Sequence, residues 1–420
     1  MTADSLFPLR DGILHAEDIP LPELADRYGT PLYVYSRAAL HAAWRRYEQA
    51  IAGHDALICY GVKANSNLAI LHEFQQLGAG FDIVSGGELE RILAAGARPD
   101  RVVFSGVGKQ GWEIRKALAA GIKCFNVESA AELERLADIA QELGVRAPVS
   151  LRVNPDVDAL THPYISTGLK ENKFGVDIRK APELYRQALQ HPGLEIVGVD
   201  CHIGSQITQI APYLDALDKL LDLIDTLAAD GIALRHLDLG GGLGIRYTDE
   251  IPPSPKALLD RVFERLQARG LGHLHLMLEP GRSLVGNAGL LLTTVQFLKH
   301  AEARNFAIVD AAMNDLLRPS LYEAYHGLRA IRPRDGEARE YDVVGPVCES
   351  GDWLARQRRL SLRQGDVLAL ESAGAYGMVM ASNYNSRPRP AEVMVDGGKY
   401  YVVRQRETLQ DLLRGESTLP

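Results

Sequence analysis

Between residues 56 and 279 short apolar runs alternate with amphipathic stretches, and this βα rhythm constrains the fold more than any other feature of the sequence. Eight runs read as strands: ALICYGV (56–62), FDIV (81–84), VVFS (102–105), CFNV (124–127), VSLRV (149–153), IVGVDCH (196–202), RHLDL (235–239) and LHLMLE (274–279). Segments between them, such as GELERILAAGA and SAAELERLADIAQELG, repeat apolar residues at three and four and place a glycine after the last turn. Eight strands with helical returns close a (β/α)8 barrel, whose reactive groups gather where the strands end.

After Gly286 the rhythm changes. LLTTVQFL, NFAIVD, EYDVVGP, DVLALES and AEVMV are strand-like runs without regular helices between them. The expected architecture is therefore α/β: a (β/α)8 TIM-type barrel over 36–285, followed by a C-terminal all-β domain. That second domain, sandwich-like or barrel-like, is expected from 1–35 plus 286–420, although PLYVYS (31–36) fits either.

Composition narrows the function. With 46% hydrophobic residues among 420, the chain can bury a large core. A formal charge of −8, with no basic run interleaved with aromatics, gives no attraction to phosphate backbones, so nucleic acid is not an expected partner. The four cysteines, Cys59, Cys124, Cys201 and Cys348, are too scattered for a zinc site or a disulfide framework, and no metal is expected. The first twenty residues lack the basic start and apolar core of a secretion signal, and no run approaches the roughly 18 apolar residues of a membrane span. A cytoplasmic location without membrane contact is the expectation.

The strand ends hold the candidate chemistry. Lys63, in YGVKAN, follows its strand directly, where partial desolvation makes an amine nucleophilic; a rim salt bridge is the plainer alternative. In LDLGGGLG, Gly240, Gly241 and Gly242 let backbone approach a phosphate, and the motif lacks the Lys-Ser/Thr of a P-loop. His202, in HIGSQ, ends a strand just before Ser205. In EPGR, Glu279 and Arg282 flank the turn at Pro280 and Gly281: either an anion grip or a structural ion pair. Cys348 beside Glu349 in VCES, and Tyr376 in SAGAYGM, would ordinarily be packing and turn residues.

YGVKAN, GFDIVSGGE, HIGSQ, LDLGGGLG, EPGRSLV, DAAMNDLLRPSLYEAYH, VVGPVCESGD and ESAGAYG occur in this order over most of the chain. Together they resemble the fold-type III pyridoxal-phosphate decarboxylases, most closely the diaminopimelate decarboxylases. The resemblance implies pyridoxal 5'-phosphate as cofactor, attached through Lys63, with His202 stacked on its ring and Glu279 facing its pyridine nitrogen. It implies that Ser205, Gly240 to Gly242 and the turn at Pro280, Gly281 and Arg282 hold the phosphate, with Tyr376 completing the site. Arg282, Arg318, Tyr322, Glu349 and Tyr376 are implied in substrate binding, and Cys348 in proton donation from the partner subunit of a homodimer with shared sites.

The implied reaction is decarboxylation of meso-2,6-diaminopimelate to L-lysine and CO2, the last step of lysine biosynthesis. The chemistry agrees: a carboxylate at the ring nitrogen favours its charged form and deepens the electron sink, whereas the fold-related alanine racemases place an arginine there. A distal amino-acid end calls for guanidinium groups, which Arg282 and Arg318 supply; Asp315 and Glu323 flank this region with unassigned orientation. The alternatives are a decarboxylase of another basic amino acid or of carboxynorspermidine, and a non-catalytic pyridoxal-phosphate-binding protein.

Overall fold

The computed structural model describes residues 6–158 and 173–420. By its internal contacts the chain divides into two units: a barrel unit of Trp44–Ile245 with Ile251–Ser283, and a β unit of the residues up to Ala43, Arg246–Glu250 and Leu284–Pro420.

The barrel unit contains a closed ring of eight parallel strands in chain order: Ala56–Gly61, Gly80–Ile83, Val102–Phe104, Cys124–Val127, Ala147–Asn154, Leu194–Asp200, His236–Asp238 and His275–Leu278. The last closes on the first through Leu276↔Ala56 and its successors. The short strand Val176–Asp177 adds a parallel pairing beside Ala147–Asn154. Their near-continuous apolar letters follow from burial on both faces, inward to the barrel and outward to the helices.

The returning helices are set by local chemistry. Ser85 and Ser129 cap Gly86–Ala94 and Ala130–Leu143 by accepting the N–H of Glu88 and Glu132, and Gly144 ends the second in the left-handed conformation. Inside the ring Leu57, Cys59, Val103, Cys124, Val197 and Met277 pack together. His236 fits beside them because Gly198 has no Cβ: one built there would lie 2.1 Å from the imidazole Nε2. Burial pushes the His236 pKa down to about 3, so the ring is neutral. The barrel is thus a packed core whose polar end alone is available for chemistry.

Strands make up most of the regular structure of the β unit. Its main sheet runs Trp353–Leu360, Arg339–Val344, Asn305–Val309, Gly289–Lys299, Leu32–Ser36, Ala391–Asp396, Lys399–Arg404. Val367–Leu370 pairs with Gly289–Lys299 and with Leu328–Ala330. The ambiguous PLYVYS segment belongs here: Leu32–Ser36 pairs antiparallel with Gly289–Lys299 and parallel with Ala391–Asp396. Its core gathers Leu32, Val34, Leu290, Leu292, Val393 and Val395 with the helix Leu21–Tyr28. The short helices Leu21–Tyr28, Arg318–Tyr322 and Leu409–Leu412 make this unit less purely β than the sequence suggests.

Candidate active site

Lys63 sits in the single turn Val62–Ala64 that follows the strand Ala56–Gly61. Its Nζ lies 3.0 Å from Asp82 Oδ2, with the lysine side chain 37% exposed and the aspartate fully buried. The rim salt bridge is therefore present, and it holds the amine at the mouth of the barrel. Asp82 lies near the end of the neighbouring strand, where its inward position places a carboxylate in an apolar run.

Glu279 follows the last strand and is buried. Its Oε1 accepts from Asn126 Nδ2 at 3.3 Å and from Ser105 Oγ at 3.4 Å, both delivered by other strand ends. Ligand atoms of Asp200, Asp238 and Glu279 all lie within 4.8 Å of one another. Burial, then the charges of Asp82, Asp238 and Asp200, push the Glu279 pKa well up, against the pull of Lys63. The Asp238 pKa is raised to about 7 by burial, although its Oδ1 accepts the Gly240 N–H at 2.8 Å. Burial and Asp238 also raise Asp200, opposed by Arg152, whose Nε is 4.0 Å from Asp200 Oδ2. Crowding of these carboxyls in one buried cage favours their protonated forms, and a cation placed beside Glu279 would favour the ionised form instead. Asp200 Oδ1, Asp238 Oδ2 and Asp82 Oδ1 have no hydrogen-bond partner among the described residues.

His202 lies two residues beyond the strand Leu194–Asp200, and its Nδ1 accepts the Gly241 N–H at 3.2 Å. An accepting Nδ1 places the ring proton on Nε2. Burial, Lys63 and Arg152 push the pKa well down, so the imidazole is a neutral flat surface. Ser205 Oγ accepts from Arg282 Nη2 at 2.8 Å and from Nε at 3.3 Å, while Arg282 is itself buried.

The three glycines are needed for close backbone packing. A Cβ at Gly240 would meet Cys201 O at 2.5 Å, at Gly241 Glu279 O at 2.1 Å, and at Gly242 Gly204 O at 2.3 Å; Gly240 and Gly242 also have φ of +65° and +100°. The N–H groups of Gly240 and Gly241 are committed to Asp238 and His202. The expectation that all three converge on one anion is thus narrowed to Gly242. Gly281 likewise packs without a side chain, its Cβ position 2.9 Å from Ala64 Cβ. Gly241→Ala should lower stability by about 1–3 kcal/mol, because the clash is with main chain that cannot swing away; urea unfolding of the cofactor-free protein measures this.

The β unit carries the remaining candidates. Arg318 opens the helix Arg318–Tyr322 and is buried, with Tyr322 half-buried at its end. Of the flanking acids, Asp315 is buried and accepts from the Ala312 N–H, its pKa raised to about 7 by burial, and Glu323 is exposed at the helix C-cap. Cys348 and Glu349 lie exposed on one loop. The Cys348 N–H donates to Asn385 Oδ1 at 3.0 Å and the Tyr384 hydroxyl donates to Glu349. Packing accounts for Cys59, Cys124 and Cys201, which are buried with raised thiol pKa values, but not for Cys348. Tyr376 is half-buried with φ of +56°.

Strand ends point to Lys63, His202, Glu279 and Arg282 but leave out Asp82, Arg152, Asp200 and Asp238. Their signal is present nonetheless: a charged letter inside a strand that is otherwise apolar. Glu88, whose carboxylate accepts the Val84 N–H at 2.8 Å and is raised to about 7 by burial, lies among the polar letters of the amphipathic segment GELERILAAGA, where nothing in the sequence sets it apart.

No helix among the described residues is long and apolar enough to cross a membrane. Residues 37–286 match the model of the pyridoxal-dependent decarboxylase family, pyridoxal binding domain. The chain is 60% identical over 414 residues to diaminopimelate decarboxylase of Pseudomonas aeruginosa, covering 99% of each. It is 54% identical to that of Haemophilus influenzae, covering 99% of this chain and 100% of the relative. The crystal structure of diaminopimelate decarboxylase from Helicobacter pylori complexed with L-lysine superposes with a TM-score of 0.90 at 46% identity, covering 94% of this chain and 98% of that one. With a closed eight-stranded barrel that ends in a lysine, a neutral histidine and a buried glutamate, the chain belongs to the diaminopimelate decarboxylases, a family of pyridoxal-phosphate-dependent carboxy-lyases.

Proposed function

We propose that Lys63, His202, Glu279 and Cys348 are the residues with which this chain decarboxylates meso-2,6-diaminopimelate to L-lysine and CO2. The observation that carries the reading is Glu279: a buried carboxyl at a strand end, hydrogen-bonded by Asn126 and crowded by other acids within reach of the Lys63 charge. The residues fit pyridoxal phosphate, since the glycine contacts leave a surface free of side chains and the acid cluster answers a cationic ring nitrogen. When bound, the cofactor supplies the electron sink for the electrons released as CO2 leaves.

Lys63 would hold the cofactor, its amine emerging where the strand Ala56–Gly61 ends. Asp82, 3.0 Å from its Nζ, keeps that amine in place. His202, neutral and pinned through Nδ1, would offer the cofactor ring a flat face without adding a competing charge. Glu279 holds a proton at the ring nitrogen, and Asn126 and Ser105 keep its Oε1 in place. Ser205 Oγ, the Gly242 N–H and the backbone N–H groups of Gly281 and Arg282 would cradle the phosphate, with Gly240, Gly241 and Pro280, which has no N–H to give, shaping the turns and Tyr376 completing the cradle.

Arg282, Arg318, Tyr322, Glu349 and Tyr376 bind the substrate, the guanidinium of Arg318 gripping the distal carboxylate. Cys348 Sγ returns a proton to the carbon that lost CO2. Because Cys348 is exposed on its own chain, we assign it to the site of a partner subunit in a homodimer. A cytoplasmic setting agrees with four cysteines that form no pair.

Glu279→Gln keeps the shape and removes the ionisable carboxylate. CO2 release from meso-diaminopimelate should fall on the order of 10²-fold, with the cofactor retained. Unchanged release would remove Glu279 from the electron sink.

A further inference from the structure

Beyond Arg318 and Tyr322, the segment RPSLYEAYH ends in a histidine that the proposed chemistry leaves unused. His326 is fully buried, and its Nε2 lies 2.9 Å from Arg318 Nη1, while its Nδ1 lies 2.8 Å from the main-chain oxygen of Glu371. A guanidinium only donates and is always charged, so Nε2 must accept; a carbonyl only accepts, so Nδ1 carries the proton. Both neighbours therefore select one neutral tautomer. Tyr247 adds to the mounting: the Arg318 guanidinium lies 4.8 Å from its ring centroid, and the His326 ring meets it edge-on at 5.7 Å.

We propose that His326 is a positioning residue for substrate specificity, which accepts one N–H of the Arg318 guanidinium and so sets the plane that this group turns toward the distal carboxylate. Tyr247 supports the same cation from its face. The inference rests on the assignment of Arg318 to that carboxylate. An arginine without such an acceptor would sample several rotamers and lose the planar match that distinguishes a carboxylate from an ammonium.

Two replacements separate aiming from mere support. His326→Gln keeps an acceptor near the Nε2 position; His326→Asn keeps a donor near Nδ1 for the Glu371 carbonyl but loses the acceptor. The assay is steady-state decarboxylation of meso-diaminopimelate by the holoenzyme, with inhibition by L-lysine, which retains a carboxylate, and by cadaverine, which lacks one. His326→Asn should raise KM and the L-lysine inhibition constant about tenfold, leaving kcat within about twofold and cadaverine inhibition unchanged. His326→Gln should stay within about threefold of the parent. Equal impairment of the two variants, or equal weakening of L-lysine and cadaverine, would overturn the proposal as a structural effect. Arg318→Met separates the premise: if it leaves KM unchanged, the assignment of Arg318 falls and the inference with it, whereas a raised KM beside a silent His326→Asn overturns the inference alone.

Discussion

Cys348→Ala is expected to keep the cofactor's visible absorbance while losing about 10²–10⁴-fold in turnover, the range a positioned general acid supplies. The loop that bears Cys348 is held by main chain and by neighbours, the Asn385 side-chain oxygen on its N–H and the Tyr384 hydroxyl on Glu349, so removing Sγ leaves the loop in place. The other thiols cannot substitute, because Cys59, Cys124 and Cys201 are buried with raised pKa values. A thiol is well suited as the donor, since it delivers a proton without competing, as an amine would, for the carbon that carries the cofactor. Absorbance and CO2 release measured on one preparation check both halves, and unchanged turnover would remove Cys348 from the mechanism.

Lys63→Ala should cost more, on the order of 10⁵-fold, since an amine held at the end of a strand acts at an effective concentration that free amine cannot match. Added methylamine should return part of the activity, because it replaces the lost nucleophile and not the fold. Asp82 would then be left buried beside no cation, so this variant should also be less stable by about 1–3 kcal/mol in urea unfolding. Mixing Lys63→Ala with Cys348→Ala tests the shared site. Random exchange makes about half the dimers mixed, each with one intact pair, so activity should approach about a quarter of the parent's. No recovery after confirmed exchange would place both residues in a site made by a single chain.

The barrel strands are legible because burial on both faces writes an unbroken apolar run, and the helices between them because they show one dry stripe. The segment Leu32–Ser36 is ambiguous for the same reason: all five residues are buried, and only its pairing with Gly289–Lys299 and Ala391–Asp396 assigns it. Trp353–Leu360 and Lys399–Arg404 escape notice because they end their sheet, and edge strands carry the charged letters that mark loops.

The candidate site is legible where a residue's position along the chain announces its place at the barrel end, as for Lys63 just past a strand or Glu279 before a Pro-Gly turn. It is not legible where function depends on convergence. Asp82, Asp200 and Asp238 are separate letters on three strands, and only closure of the ring makes them one acidic cage around Glu279. The glycine triplet shows the limit of motifs: two of its N–H groups are already used by Asp238 and His202, and steric necessity explains why those positions are glycine.

A decarboxylase whose distal pocket is built for an amino-acid end is distinguished from its alternatives by CO2 release from meso-diaminopimelate, ornithine, arginine and carboxynorspermidine under one set of conditions. kcat/KM for meso-diaminopimelate should exceed each of the others by at least about 10²-fold, the discrimination expected when a buried guanidinium is left without a carboxylate. Preferred release from any of the other three, or binding of cofactor with no release from any, would contradict it.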